Sequence, residues 1–135
     1  MSSETTTEPG ILEFSGKWRF LSNFYASPVR YEGIEYTTVE HAFQAAKTLD
    51  HAQRQLVAAE ATPGRAKRAG HRVPLREDWE TVKFGVMRIL VTLKFTTNPE
   101  LAQKLLETGN RHLEEGNTWG DTLVRRCSWF FFSCC

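Results

Sequence analysis

The sequence predicts a mainly α-helical single domain, α+β only in that a few short strands lie at its edge. Three observations predict it. The chain has 135 residues, enough for one hydrophobic core and too few for two well-buried ones. Apolar residues recur at helical spacing from Thr38 to Leu49 and from Asp78 to Phe95. Two cap-and-proline pairs, Thr62-Pro63 and Asn98-Pro99, open further helices, because Thr and Asn cap orphan backbone N–H groups and Pro is tolerated at the first helical position.

Met1 to Gly10 holds Ser, Thr, Glu, Pro and Gly but no apolar residue after the methionine, so residues 1–10 are expected to be a disordered leader. Folded chain is expected from Ile11. Ile11–Phe14 and Val29–Tyr36 read as short strands, the second split by the turn signal Glu32-Gly33. Val39, Ala42, Phe43 and Ala46 then form one apolar helix face over Thr38–Leu49. Thr62-Pro63 starts a short helix that runs to about Gly70. In Asp78–Phe95 the residues Trp79, Val82, Val86, Ile89, Leu90 and Leu93 repeat at helical spacing, and Phe84, Met87 and Val91 widen the apolar surface. A helix of that kind is expected to be wrapped on several sides. Asn98-Pro99 opens a last helix ending near Gly109. After it come the short segment His112–Glu114, the tetrapeptide Asn117-Thr118-Trp119-Gly120, and the tail of residues 122–135. An exposed Trp129-Phe130-Phe131-Phe132 run would be an aggregation hazard, so the tail is either packed on the domain or atypical.

Composition narrows the function classes. Net charge is +1 and the arginines are spread along the chain, which argues against tight, non-specific nucleic-acid binding and leaves room for contact with one modified nucleotide in DNA or RNA. No stretch is long and apolar enough to cross a bilayer, and the N-terminus lacks the basic and apolar regions of a secretory signal. The three cysteines, Cys127, Cys134 and Cys135, show no metal-type pair or disulfide framework. The expectation is a cytoplasmic protein with no structural metal, no cofactor and no membrane partner. His41, His51, His71 and His112 lack zinc-site spacing. The chain has no glycine-rich phosphate loop and no nucleophile elbow.

In the helix Thr38–Leu49, Glu40, Gln44 and Lys47 lie at i, i+4 and i+7, one stripe beside the apolar face. A carboxylate, an amide and an amine so placed can converge on a polar ligand. The carboxylate could serve as acid or base, or stabilise an oxocarbenium ion. The amine could neutralise a phosphate or attack an opened sugar aldehyde as a Schiff-base nucleophile. A structural reading stands beside this one: Thr37-Thr38-Val39-Glu40 fits a capping box with Thr37 at the N-cap and Glu40 at N3, and Lys47 would be a solvated residue near the helix end. Likewise Trp18 to Tyr25 is either a loop that stacks on a flat ring, or an aromatic connection tucked into the core with Ser22 and Asn23 in local turn bonds. Trp79 and Trp119 could be core; Gly120 beside Trp119 and Asp121 permits close approach of a ligand to the backbone, or marks a simple turn.

Taken together, Phe20-Leu21-Ser22-Asn23-Phe24, Val39 to Lys47, Pro74 to Lys83, Met87-Arg88, Lys94-Phe95 and Asn117 to Asp121 resemble, in order and rough spacing, the YbiA/NADAR family. The resemblance covers residues 11–121. It implies a compact, largely α-helical fold and an N-glycosidase that hydrolyses a ribosyl C1–N bond. The implied substrate is ADP-ribose on guanine bases, or a phosphoribosylaminopyrimidine intermediate of riboflavin biosynthesis. A non-catalytic ADP-ribose or nucleotide binder is the remaining reading. Carried over by motif, Glu40 is the lead catalytic carboxylate, with Trp79, Asp121 and Lys47 as active-site partners. Phe20, Ser22, Asn23, Phe24, Gln44, Trp119 and Gly120 would shape the substrate pocket. Residues 122–135 depart from the family pattern and resemble a truncated or frame-shifted ending.

Overall fold

The computed structural model describes residues 14–109. A 3-10 turn, Gly16–Leu21, leads into a two-stranded antiparallel hairpin, β1 (Val29–Tyr31) and β2 (Ile34–Tyr36). Five helices follow: α1 (Val39–Ala45), α2 (His51–Ala58), α3 (Pro63–Gly70), α4 (Trp79–Thr96) and α5 (Pro99–Leu106). The mainly helical fold with a short strand pair at its edge is as expected.

The hairpin follows from its turn chemistry. Glu32 and Gly33 both have positive φ, 50° and 90°, the signature of a two-residue turn whose twist matches the flanking strands. Register pairs Val29 with Tyr36, Arg30 with Glu35 and Tyr31 with Ile34. The apolar pairs therefore face the core, while Arg30 and Glu35 are exposed opposite each other. The expected strand Ile11–Phe14 lies outside the described residues except for Phe14, which is buried and in no strand.

The helices start where their caps dictate, with two departures. Thr62 Oγ1 accepts from Arg65 N–H and Pro63 takes the first position of α3; Pro99 likewise opens α5, but the Asn98 side chain makes no capping bond and donates instead to the Lys94 carbonyl and Ser27 Oγ. At α1 the cap is Thr38 rather than Thr37: its Oγ1 accepts the His41 N–H at 3.1 Å. Glu40 thus stands at N2 and the reciprocal capping box does not form. The helix also closes earlier than its apolar pattern suggests, at Ala45. Helix α2 was not foreseeable from periodicity, because it buries only Arg54 and Val57 and leaves Leu56 exposed. Its existence rests on Asp50, whose carboxylate accepts from the Ala52 and Gln53 N–H groups.

The core lies where α1, α4 and the inner face of the hairpin meet, with Leu21, Val29, Tyr36, Val39, Ala42, Leu90 and Val91 all buried. Helix α4 contributes Val86, Met87, Leu90, Val91, Lys94 and Phe95 on one broad face. Phe84 and Ile89 are exposed, so α4 is covered on one face rather than on several sides. Burying the apolar side chains of that face contributes about 1.5–3 kcal/mol each, which is why this helix anchors the fold. Among the described residues no helix is long and apolar enough to cross a membrane, and no group of three or more His, Cys, Asp or Glu side chains could hold a metal ion.

Candidate active site

Helix α1 presents a polar pair from inside the core. Glu40 and Gln44 are one helical turn apart and both are buried, at 5 % and 4 % exposure. Gln44 Nε2 donates to Glu40 Oε2 at 2.7 Å. The i, i+4 spacing makes the pair, and the bond fixes how the carboxylate is turned. The main chain at Glu40 is held as well: the Glu40 N–H donates to the Asn23 carbonyl at 3.0 Å. The aromatic loop after the 3-10 turn is therefore attached directly to the first turn of α1.

That loop is held by α4. Lys94 Nζ donates to the Ser22 carbonyl at 2.8 Å, and Asn23 Nδ2 lies 3.7 Å from Met87 Sδ. Met87 and Lys94 are two turns apart on the buried face of α4. Lys94 is 1 % exposed. Its ammonium lies near the faces of Tyr25 and Phe95, and burial pushes its pKa down to about 7. Ser22 Oγ accepts from the Phe24 N–H at 3.0 Å, a local turn bond. Two buried side-chain oxygens here, Asn23 Oδ1 and Gln44 Oε1, lack a hydrogen-bond partner among the described residues. Oxygens of this kind sit beside Glu40 at the cost of desolvation.

Helix α3 packs its Ala66, Ala69 and Gly70 face inward, with Gly70 against Gln44 of α1. A Cβ at Gly70 would fall 1.9 Å from Gln44 Oε1, so only glycine admits the Gln44 side chain in this position. After α3 the chain turns back along α1, and the Arg76 N–H donates to the Lys47 carbonyl at 2.7 Å. Lys47 itself stands two residues beyond α1 and is half-buried. Trp79 opens α4, is buried, and packs on Phe43 with ring centroids 5.1 Å apart.

The structure thus brings together Glu40, Gln44, Ser22 and Asn23. Phe20 is buried in an edge-to-face contact with Phe95, whereas Phe24 is half-buried. Trp119, Gly120 and Asp121 lie outside the described residues, as does the tail 122–135. His41 is structural: Nδ1 is 2.9 Å from Thr38 Oγ1 and Nε2 is 3.0 Å from the Glu60 carbonyl. A carbonyl can only accept, so Nε2 carries the proton in that bond. Lys94, Met87 and Gly70 join the site through packing. The sequence carries a signal for Lys94, since a lysine two turns after Met87 interrupts the apolar stripe of α4.

Residues 12–124 match the NADAR domain. The chain is 40 % identical over 106 residues to the N-glycosidase YbiA of Escherichia coli (strain K12), an alignment covering 74 % of this chain and 66 % of that one. It is 33 % identical over 108 residues to the riboflavin biosynthesis protein VVA0006 of Vibrio vulnificus, covering 76 % of this chain and 29 % of that protein. Among solved structures it is similar to the NMR structure of E. coli YbiA, with a TM-score of 0.70 and 36 % identity over 82 % of this chain and 68 % of that chain. The chain spans just under two thirds of the length of the YbiA relatives it matches.

Proposed function

The chain belongs to the NADAR family, and from that premise we propose that it is an N-glycosidase hydrolysing a ribosyl C1–N bond, with ADP-ribose attached to guanine as its substrate. The observation that carries the reading is the buried Glu40 carboxylate, turned by Gln44 and tied through its own N–H to Asn23. Cleavage of a ribosyl C1–N bond builds positive charge on the sugar ring. A fixed carboxylate in a water-poor site stabilises that charge without reorganising as it forms, and the same group can take a proton from the attacking water. In this reading the half-buried Phe24 offers a flat surface to the base, Asp121 and Trp119 act on the ribose side, and Lys47 neutralises phosphate charge. Trp79 acts through Phe43 to hold α1 in place. No cofactor or metal is required by this chemistry.

A second substrate is favoured by one observation, the similarity to a protein named for riboflavin biosynthesis. A phosphoribosylaminopyrimidine presents the same C1–N bond and a smaller base.

The test is product release from a guanine-ADP-ribosylated oligonucleotide and from the phosphoribosylaminopyrimidine, by wild type and Glu40→Gln. Free ADP-ribose from wild type and none from the variant is the expected result. Release only from the pyrimidine substrate would shift the assignment to the second reading. Binding of ADP-ribose with no turnover of either substrate would leave a non-catalytic binder and sink the glycosidase reading.

A further inference from the structure

We propose that the exposed side of α3 and the turn that follows it are a docking surface for the phosphate backbone of a nucleic-acid strand beside the helix that carries Glu40. Arg65 and Arg68 lie one turn apart on α3, and Arg72 follows in the turn just beyond its C-cap His71. All three are exposed. From Ala61 to Arg76 the chain contains Arg65, Lys67, Arg68, His71, Arg72 and Arg76 and no acidic residue.

Three other cations are matched by carboxylates among the described residues. Lys83 pairs with Glu80, Arg76 with Asp78 and Arg54 with Glu32. Arg65, Arg68 and Arg72 form no ion pair with any described residue. A net charge of +1 for the whole chain therefore hides a local positive stripe. Unpaired guanidinium groups in a row match a polyphosphate backbone, to which each contributes a forked donor.

Position ties the stripe to the site. The opposite side of α3 packs Gly70 against Gln44, and the basic run ends where Arg76 N–H meets the Lys47 carbonyl. A strand lying along Arg65, Arg68 and Arg72 would run past the end of α1 that carries Gln44, and past Lys47 just beyond it. The contact positions the strand and carries no sequence information. The inference rests on the glycosidase reading only for the nature of the modified base.

The test is equilibrium binding of an unmodified single-stranded oligonucleotide as salt is varied, which reads the surface whether or not the chain cleaves anything. It uses wild type, the triple variant Arg65→Gln/Arg68→Gln/Arg72→Gln, and a charge-matched control, Lys17→Gln/Arg30→Gln/Lys104→Gln. Three lost phosphate contacts should lower the slope of log K against log salt by about 2, while the control keeps the wild-type slope. Equal slopes in all three proteins, an equal loss in both variants, or no salt-dependent binding by wild type would each overturn the proposal. Binding of polyglutamate as tight as that of the oligonucleotide would overturn it in favour of an acidic peptide. Should the triple variant melt early, Arg68→Gln alone is expected to lower the slope by about 0.7.

Discussion

Gly70 and Gln44 are in such close approach that a Cβ on the glycine would stand 1.9 Å from the glutamine Oε1 and 2.8 Å from its Cδ. The glutamine is buried and its other amide atom holds Glu40. Gly70→Ala should therefore act on Glu40 at one remove. Alanine is the better helix former by about 1 kcal/mol, so a purely local account predicts a stabilised protein. The packing account predicts overpacking worth about 1–3 kcal/mol and a displaced Gln44. The expected result is a lowered melting temperature and kcat reduced by roughly 10- to 100-fold. Gly70→Ala and Gln44→Leu should also be strongly non-additive in kcat, because both remove the same bond. Full additivity would show that Gly70 does not act through Gln44.

Lys94 makes stability depend on pH in an unusual direction. Its pKa is pushed down to about 7 in the folded chain, against about 10.4 when unfolded. Between those values the unfolded chain binds more protons, so unfolding free energy should rise with pH from about 7 upward, by on the order of a few kcal/mol in total. Tyr36 limits the window: burial raises its pKa to about 12, so above about pH 10 its ionisation favours the unfolded chain. Among the described residues Tyr25 is the titratable side chain facing the Lys94 ammonium. Urea melts from pH 6 to 10 should show the rise in wild type and lose it in Lys94→Met. A variant that keeps the slope would place its origin elsewhere.

Helix α2 is attached to the hairpin by Arg54, whose guanidinium meets Glu32 at 2.6 Å while its Nε donates to the Thr48 carbonyl at 2.7 Å. Arg54 is buried and the Glu32 side chain is half exposed, at 55 %. Solvent screening holds the cost of Glu32→Gln to about 1 kcal/mol. Arg54→Met should cost more, about 2–3 kcal/mol, because it also leaves the Thr48 carbonyl without its charged donor. Chemical denaturation of the two variants separates these values; equal costs would mean that the Thr48 bond contributes little.

The contrast between α2 and the other elements shows what was legible in the sequence. The hairpin, α3 and α5 could be read because Glu32-Gly33, Thr62-Pro63 and Asn98-Pro99 encode their geometry within a few residues. Helix α4 could be read from its period, though not which side it leaves bare. Helix α2 has almost no apolar stripe, and its cap at Asp50 does not stand out among polar neighbours. In the site, Glu40 and Gln44 could be paired from spacing alone. The fit of Gly70 on Gln44 and the bond from Glu40 to Asn23 join residues far apart in the chain, and only packing reveals them. The position of the cap at α1 also mattered: with Thr38 as N-cap, Glu40 is not consumed by the capping box that Thr37 would have formed.

The role of the amines is the last question that chemistry can divide. A Schiff-base path needs an unprotonated lysine that can reach the sugar C1. Burial lowers the pKa of Lys94 to about 7, but it is 1 % exposed and donates to the Ser22 carbonyl, so forming an imine there would break the attachment of the loop. Lys47 is half-buried beyond the end of α1 and is reachable at less structural cost. If Lys47 acts as a charge, Lys47→Arg should keep kcat within about 10-fold and Lys47→Met should lose roughly 10- to 100-fold, with no adduct trapped by borohydride during turnover. The electrostatic assignment predicts that pattern because arginine keeps the positive charge yet cannot form an imine. A borohydride-stable sugar adduct mapped to Lys47, together with an inactive Lys47→Arg, would replace direct hydrolysis with the covalent path and leave Glu40 to deliver the proton and the water.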